Sequence, residues 1–146
     1  MVPWAALIIW RGGAASRIGA LAGRAHNVDM PARVLIVDDH PSFRSSARLL
    51  LEAEGYEVVG EAADAAEAIR CASELNPDVV LLDVALPDLD GFECASRLTR
   101  NGHAPAVILV SSRDWSDLDT HIRRSGARGF ISKSELSGAA VEALLP

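Results

Sequence analysis

The stretch PDVVLLDVALPDLDG, residues 77–91, decides how this chain is read. Val79, Val80, Leu81 and Leu82 form an unbroken apolar run, the mark of a strand covered on both faces rather than one that alternates toward water. The run nevertheless ends on an acid, Asp83, followed by a Pro-Asp-Leu-Asp-Gly turn. A carboxylate at the end of a buried strand must be compensated by something nearby, and the rest of the chain shows what converges on it.

From Arg33 onward, short Val/Ile/Leu runs alternate with helical patterns five times, as expected of β-α units stacked around a parallel sheet. The runs are RVLIVD, EVVGEA, DVVLLD, AVILVS and RGFIS. Between them Phe43, Ala47, Leu50 and Leu51 recur at helical spacing after Pro41, as do Ala65, Ala68, Ile69 and Ala72 after Asp64. Weaker stripes place Phe92, Ala95 and Leu98 on a third helix, Trp115, Leu118 and Ile122 on a fourth, and Leu136, Ala140 and Leu144 on a fifth. Gly55, Gly102 and Gly126 stand where helices should stop, because glycine takes the left-handed cap conformation without strain. The first, third and fourth strands are the most continuously apolar and are expected at the centre of an open, doubly wound α/β sheet. Right-handed crossovers then bring all strand C-terminal ends to one edge, where ligands bind in such folds.

Charge divides the chain. Arg11, Arg17 and Arg24 against Asp29 give residues 1–32 a net +2, which leaves −8 of the total −6 for the remainder. An acidic body with one lysine argues against direct nucleic-acid binding, which needs clustered cations. Cys71 and Cys94 lie far apart with no metal-ligand spacing and read as small apolar side chains in a reducing cytoplasm. The apolar run Val2–Trp10 falls far short of the ~20 residues that span a bilayer, so no membrane partner is expected. Met30 stands directly before PARVLIVDD, where the folded pattern begins; residues 1–31 therefore read as an N-terminal extension, disordered or upstream of the true start, and residues 32–146 as one folded domain.

The strands deliver Asp38 and Asp39, Asp83, Ser111 and Lys133, the chain's one lysine, to the common edge. Each alone could be a helix cap or loop residue; together they form a chemical site. Three carboxylates crowded in a low-dielectric setting repel one another and call for a cation. With oxygen donors and few acids, Mg²⁺ retaining several waters suits the set better than zinc or a calcium cage. Asp83 can then act as a nucleophile toward a phosphoryl group, with Ser111 and Lys133 holding the added oxygens.

Taken together, LIVDDH, LLDVALPDLDG, LVSS and GFISK resemble, in order and in placement at strand ends, the receiver domain of two-component response regulators. The resemblance covers residues 32–146. It implies a flavodoxin-like (βα)5 fold with strand order 2-1-3-4-5. It further implies a Mg²⁺ site served by Asp38, Asp39, Asp83 and the backbone carbonyl of Ala85, with Asp83 as phosphoacceptor. Ser111 takes the place of the switch hydroxyl, Lys133 that of the lysine pairing with the phosphoryl group, and Phe130 that of the aromatic switch residue. Pro87 and Gly91 match the turn after the acceptor.

Leu86 replaces a frequent methionine, and Ser134 stands where a proline is common, so no cis peptide is expected there. SSRD and GFISKSELSG are similar to the NarL/LuxR-type subclass, whose receivers precede a helix-turn-helix domain; with the chain ending at Pro146 as the fifth helix closes, no output domain is expected. The implied function is a cytoplasmic, phosphorylation-activated signalling switch rather than an enzyme, one that assists only its own phosphorylation and dephosphorylation. Its partners would be a histidine kinase or phosphotransfer protein and, on phosphorylation, a second copy of itself. A receiver-like module that binds partners without phosphorylation is the alternative. An aspartate-nucleophile phosphatase is disfavoured because Ala85 stands where a general acid is needed. A flavin module is disfavoured because Asp38-Asp39 occupies the place of a phosphate-cradling loop. His40, His103 and His121 are read as non-catalytic.

Overall fold

The computed structural model describes residues 30–100, 104–113 and 119–146. The first strand and helix, β1 (Arg33–Val37) and α1 (Pro41–Ala53), are followed by β2 (Glu57–Ala62), α2 (Ala65–Leu75), β3 (Val79–Asp83) and α3 (Gly91–Leu98). Next come β4 (Ala106–Ser111), α4 (Asp119–Arg124), β5 (Gly129–Ser132), a single 3-10 turn at Lys133–Glu135 and α5 (Gly138–Ala143). The strands form one parallel sheet in the order β2-β1-β3-β4-β5, so β1, β3 and β4 are interior as their composition requires.

The apolar runs are continuous because both sheet faces are covered. Val34, Ile36, Val79, Leu81, Ile108 and Val110 meet α1 and α5 through Ala47, Leu51 and Val141. Their neighbours in the same strands, Leu35, Val37, Val80, Leu82, Val107 and Leu109, face α2, α3 and α4 through Ala68, Cys94, Ala95, Leu98 and Ile122. Full burial of each such aliphatic side chain contributes about 1.5–3 kcal/mol, so this three-layer core is the main source of stability.

Helix boundaries follow local chemistry. Pro41 opens α1, where its missing N–H costs nothing, and Gly55 ends it at φ +97°. Asp64 caps α2 by accepting from Glu67 N at 2.8 Å, while Glu67 Oε1 accepts from Ala63 N at 2.9 Å. The stop for α2 is Asn76 in the left-handed region, a residue other than the glycines singled out by sequence. Gly126, at φ +84°, closes α4 as expected, whereas Gly102, Trp115 and Leu118 lie outside the described residues, as does His103. The fifth helix is shorter than its apolar stripe suggests. Ser137 accepts from Ala140 N at 3.0 Å and starts the helix there, so Leu136 packs into the core from the preceding loop and Leu144 caps the end. No described peptide bond is cis, and no helix among the described residues is long and apolar enough to cross a membrane.

Candidate functional site

Register places the acids side by side. Val37 pairs with Leu82, so the next residues along β1 and β3, Asp38 and Asp83, emerge at the same level of the edge. Val110 pairs with Asp83 and Ser111 with Ser132, which carries Ser111 and then Lys133 to the same rim. Asp38, Asp83 and Ser111 are buried, and Asp39 is exposed. A cleft of about 540 Å³ opens over Asp83 and Ser111, lined among others by His40, Ala85, Arg113 and Lys133.

The electrostatics are unbalanced toward the negative. Lys133 Nζ lies 2.5 Å from Asp38 Oδ2 and 3.5 Å from Asp83 Oδ2. One ammonium against the carboxylates of Asp38, Asp39 and Asp83 leaves two negative charges in excess. Burial, and next the neighbouring Asp38 carboxylate, push the Asp83 carboxyl above the usual carboxylate range, opposed by the Ala85 N–H donating at 3.2 Å and by Lys133. Asp38 Oδ2 is buried without a hydrogen bond of good geometry despite the nearby lysine. A donor set of hard carboxylate oxygens with two surplus charges fits a divalent cation such as Mg²⁺. Asp38, Asp39, His40 and Asp83 each offer a ligand atom, all within 4.8 Å of one another.

The loop carrying Asp83 is held from both sides. Gly91 N donates to Val84 O at 2.9 Å, and a Cβ added to Gly91 would sit 2.6 Å from Asp83 O and 2.6 Å from Val84 Cα. Only glycine permits that approach of α3 to the end of β3. Asp90 caps α3 by accepting from Phe92 N at 2.6 Å. Asp88 reaches across to α2, accepting from Ala65 N at 2.9 Å and Ala66 N at 3.1 Å, which pulls its carboxyl below the usual range. Ala85 bridges Asp90 in an isolated antiparallel pair and faces the cleft.

The structure thus brings Asp38, Asp39, Asp83, Ala85, Ser111 and Lys133 together. Ser111 Oγ accepts from Arg113 N at 3.0 Å. Phe130 lies apart from the cleft, half-buried on β5 against the α2–α4 side of the core. Several contributors escaped the sequence reading. Phe43 places its ring 4.6 Å beneath Lys133 Nζ, although its helical spacing signalled only core packing. Arg44 donates to Asp38 O at 2.6 Å and to Glu61 at 3.0 Å, tying α1 to the ends of β1 and β2. His40, set aside as non-catalytic, has Nδ1 at 2.9 Å from Asp38 Oδ1 and 3.1 Å from Asp39 Oδ1; its position next to the acid pair was the available signal.

Comparison with known proteins places these residues in context. The family model for the response regulator receiver domain matches residues 34–144. The response regulator GacA of Pseudomonas viridiflava is 35% identical over 113 residues, covering 77% of this chain and 53% of that protein. A two-component response regulator of the LuxR family from Aurantimonas sp. SI85-9A1 superposes with a TM-score of 0.71 at 35% identity, over 79% of this chain and 83% of that one. A chain of the CheX–CheY–BeF3–Mg²⁺ complex from Borrelia burgdorferi does so at 0.70 and 31% identity, over 81% and 90%. The chain spans about half the length of the curated relatives it matches.

Proposed function

The chain belongs to the response regulator receiver domain family, a regulatory family, and on that premise we propose that it is a phosphorylation-controlled signalling switch with Asp83 as phosphoacceptor. The observation that carries the proposal is the buried Asp83 carboxylate facing the cleft with Asp38 beside it and Lys133 Nζ 3.5 Å from its Oδ2. A carboxylate oxygen of Asp83 attacks phosphorus, the bond to the donor's leaving group breaks, and that group departs with the electron pair, leaving an acyl phosphate. Lys133 and the Ser111 hydroxyl then face the new oxygens and supply charge and hydrogen bonds to them.

Mg²⁺ would be held by Asp38, Asp39, Asp83 and the Ala85 carbonyl, and when bound it neutralises the carboxylates and the charge of the incoming phosphoryl group. The donor set and its two surplus negative charges support this reading, as does a relative whose crystal structure contains Mg²⁺ and BeF3. Phe130 is assigned as the residue whose rotamer reports the state of Ser111. Residues 32–146 act as the receiver and 1–31 as an extension. In a cytoplasmic setting, the phosphoryl donor would be a histidine kinase or phosphotransfer protein, and phosphorylation would favour pairing with a second copy.

Incubation with Mg²⁺ and a small acyl phosphate should raise the intact mass by one phosphoryl group, and Asp83→Asn should abolish the gain. No adduct on the wild type would leave only the module that binds partners without phosphorylation. Ala85 offers no acid to protonate a leaving group, so turnover of unrelated phosphate esters is not expected.

A further inference from the structure

The geometry points to His40 as an additional metal ligand, one that shifts the preference of this site from Mg²⁺ toward divalent transition metals; the inference rests on the Asp38/Asp39/Asp83 metal site proposed above. His40 precedes α1 in extended conformation, and its backbone N–H donates to Asp38 Oδ1 at 2.8 Å, which fixes the residue against the acid pair. Its ring turns inward along the same line, with Nδ1 2.9 Å from Asp38 Oδ1 and 3.1 Å from Asp39 Oδ1. Donors bound to neighbouring positions of an octahedral ion at about 2.1 Å lie about 3.0 Å apart, the edge of the octahedron. The imidazole nitrogen already stands at that spacing from each of the two carboxylate oxygens, and all the ligand atoms lie within 4.8 Å of one another, so the ring is placed to share an ion with the acids.

A hydrogen bond from Nδ1–H to the carboxylates explains the same distances without metal. The two arrangements differ only in where the imidazole proton resides. For coordination the ring would carry its single proton on Nε2, which leaves the Nδ1 lone pair for the ion. The side chain is 65% exposed, so Nε2–H can be solvated. Mg²⁺ prefers oxygen and keeps water in this position, whereas Co²⁺ and Ni²⁺ accept imidazole more readily. An all-oxygen site lacks that discrimination; this one has it through a single side chain.

Proton nuclear magnetic resonance of the full chain loaded with paramagnetic Co²⁺ tests the assignment directly. The wild type should show strongly shifted ring protons of a directly bound imidazole, and His40→Gln should lose them. By calorimetry the ratio of Co²⁺ to Mg²⁺ affinity should fall severalfold in His40→Gln. Saturable binding of Co²⁺ and Mg²⁺ without shifted imidazole protons, or an unchanged affinity ratio, would overturn the role of His40 while leaving the magnesium site intact. Absence of any saturable divalent binding in the wild type would overturn the site itself, and the His40 assignment with it.

Discussion

Replacing Lys133 by methionine keeps an unbranched side chain of similar length and removes the ammonium, together with its contact with the Phe43 ring. In the metal-free protein that charge lies 2.5 Å from an oxygen of Asp38, whose side chain is fully buried, and 3.5 Å from Asp83. Taking one partner out of a buried pair leaves an uncompensated charge, at a cost of about 3–5 kcal/mol, whereas surface pairs are worth about 0–1 kcal/mol. The lysine is itself only 15% exposed, so the buried regime applies. Loss of its contact with the Phe43 face adds about 0.5–1 kcal/mol at most. Against a total domain stability of about 5–15 kcal/mol, the variant should unfold at a much lower urea midpoint without metal. Two further responses distinguish charge from packing. Saturating Mg²⁺ should restore more stability to Lys133→Met than it adds to the wild type, because the variant site holds three unopposed carboxylates. Adding Asp38→Asn to the variant should recover stability rather than compound the loss, a coupling that a double-mutant cycle measures. A Lys133→Met protein that unfolds within about 0.5 kcal/mol of wild type in metal-free buffer would refute the claim that the lysine is the resident counter-charge of this edge.

Gly91→Ala should destabilise the fold by about 1–3 kcal/mol, because the added methyl meets backbone atoms of Asp83 and Val84 that cannot rotate away, and it should also slow acyl phosphate formation at Asp83; an unchanged denaturation midpoint would contradict the close approach. Asp88→Ala should speed hydrogen exchange at the Ala65 and Ala66 amides. Since those amides lower the folded-state carboxyl, its stabilising effect is present above the ordinary Asp value and fades as pH falls through the depressed one; exchange unaffected by the substitution would rule the clasp out. Cys94, whose thiol burial pushes up to about 11, should resist alkylation in the native state, and the half-exposed Cys71 should react first; equal rates would show that α3 does not pack as described.

The layered fold was legible because its strands obey one rule: β1, β3 and β4 are covered on both faces, so their runs are continuous and their central placement follows. The edge constellation was legible for a related reason, since parallel strands with right-handed crossovers must deliver Asp38, Asp83, Ser111 and Lys133 to one rim. What stayed hidden depends on side-chain direction across elements. The spacing of Phe43 announces a core-facing residue but not that its ring lies beneath a lysine ninety positions away. Asp88 reads as part of a turn, and nothing in its neighbourhood reveals that it caps α2 across 23 positions. Helix ends set by hydroxyl caps, as at Ser137, shift boundaries that apolar periodicity alone extends too far.

The position of Lys133 bears on how a switch at this site could operate. A swing from about 1:99 to 99:1 between two states requires about 5.5 kcal/mol of differential stabilisation. Two charge-assisted hydrogen bonds to a phosphoryl group, at about 1.5–3 kcal/mol each, approach that figure. Yet the lysine is closer to Asp38 than to Asp83 before any modification, so its charge is already engaged. Turning it toward a phosphoryl group on Asp83 exposes the buried Asp38 to the cost of an unpaired carboxylate, unless a cation takes over that role. On the proposed reading, metal binding and phosphorylation would therefore be coupled through one side chain: with a cation held by Asp38, Lys133 would be released to pair with the modified Asp83. The Ser111 hydroxyl, which accepts from Arg113 N at 3.0 Å, stands on the same rim. On that reading the response to the phosphoryl group would require the counter-ion, since one ammonium cannot neutralise the Asp38 carboxylate and the phosphoryl group at once.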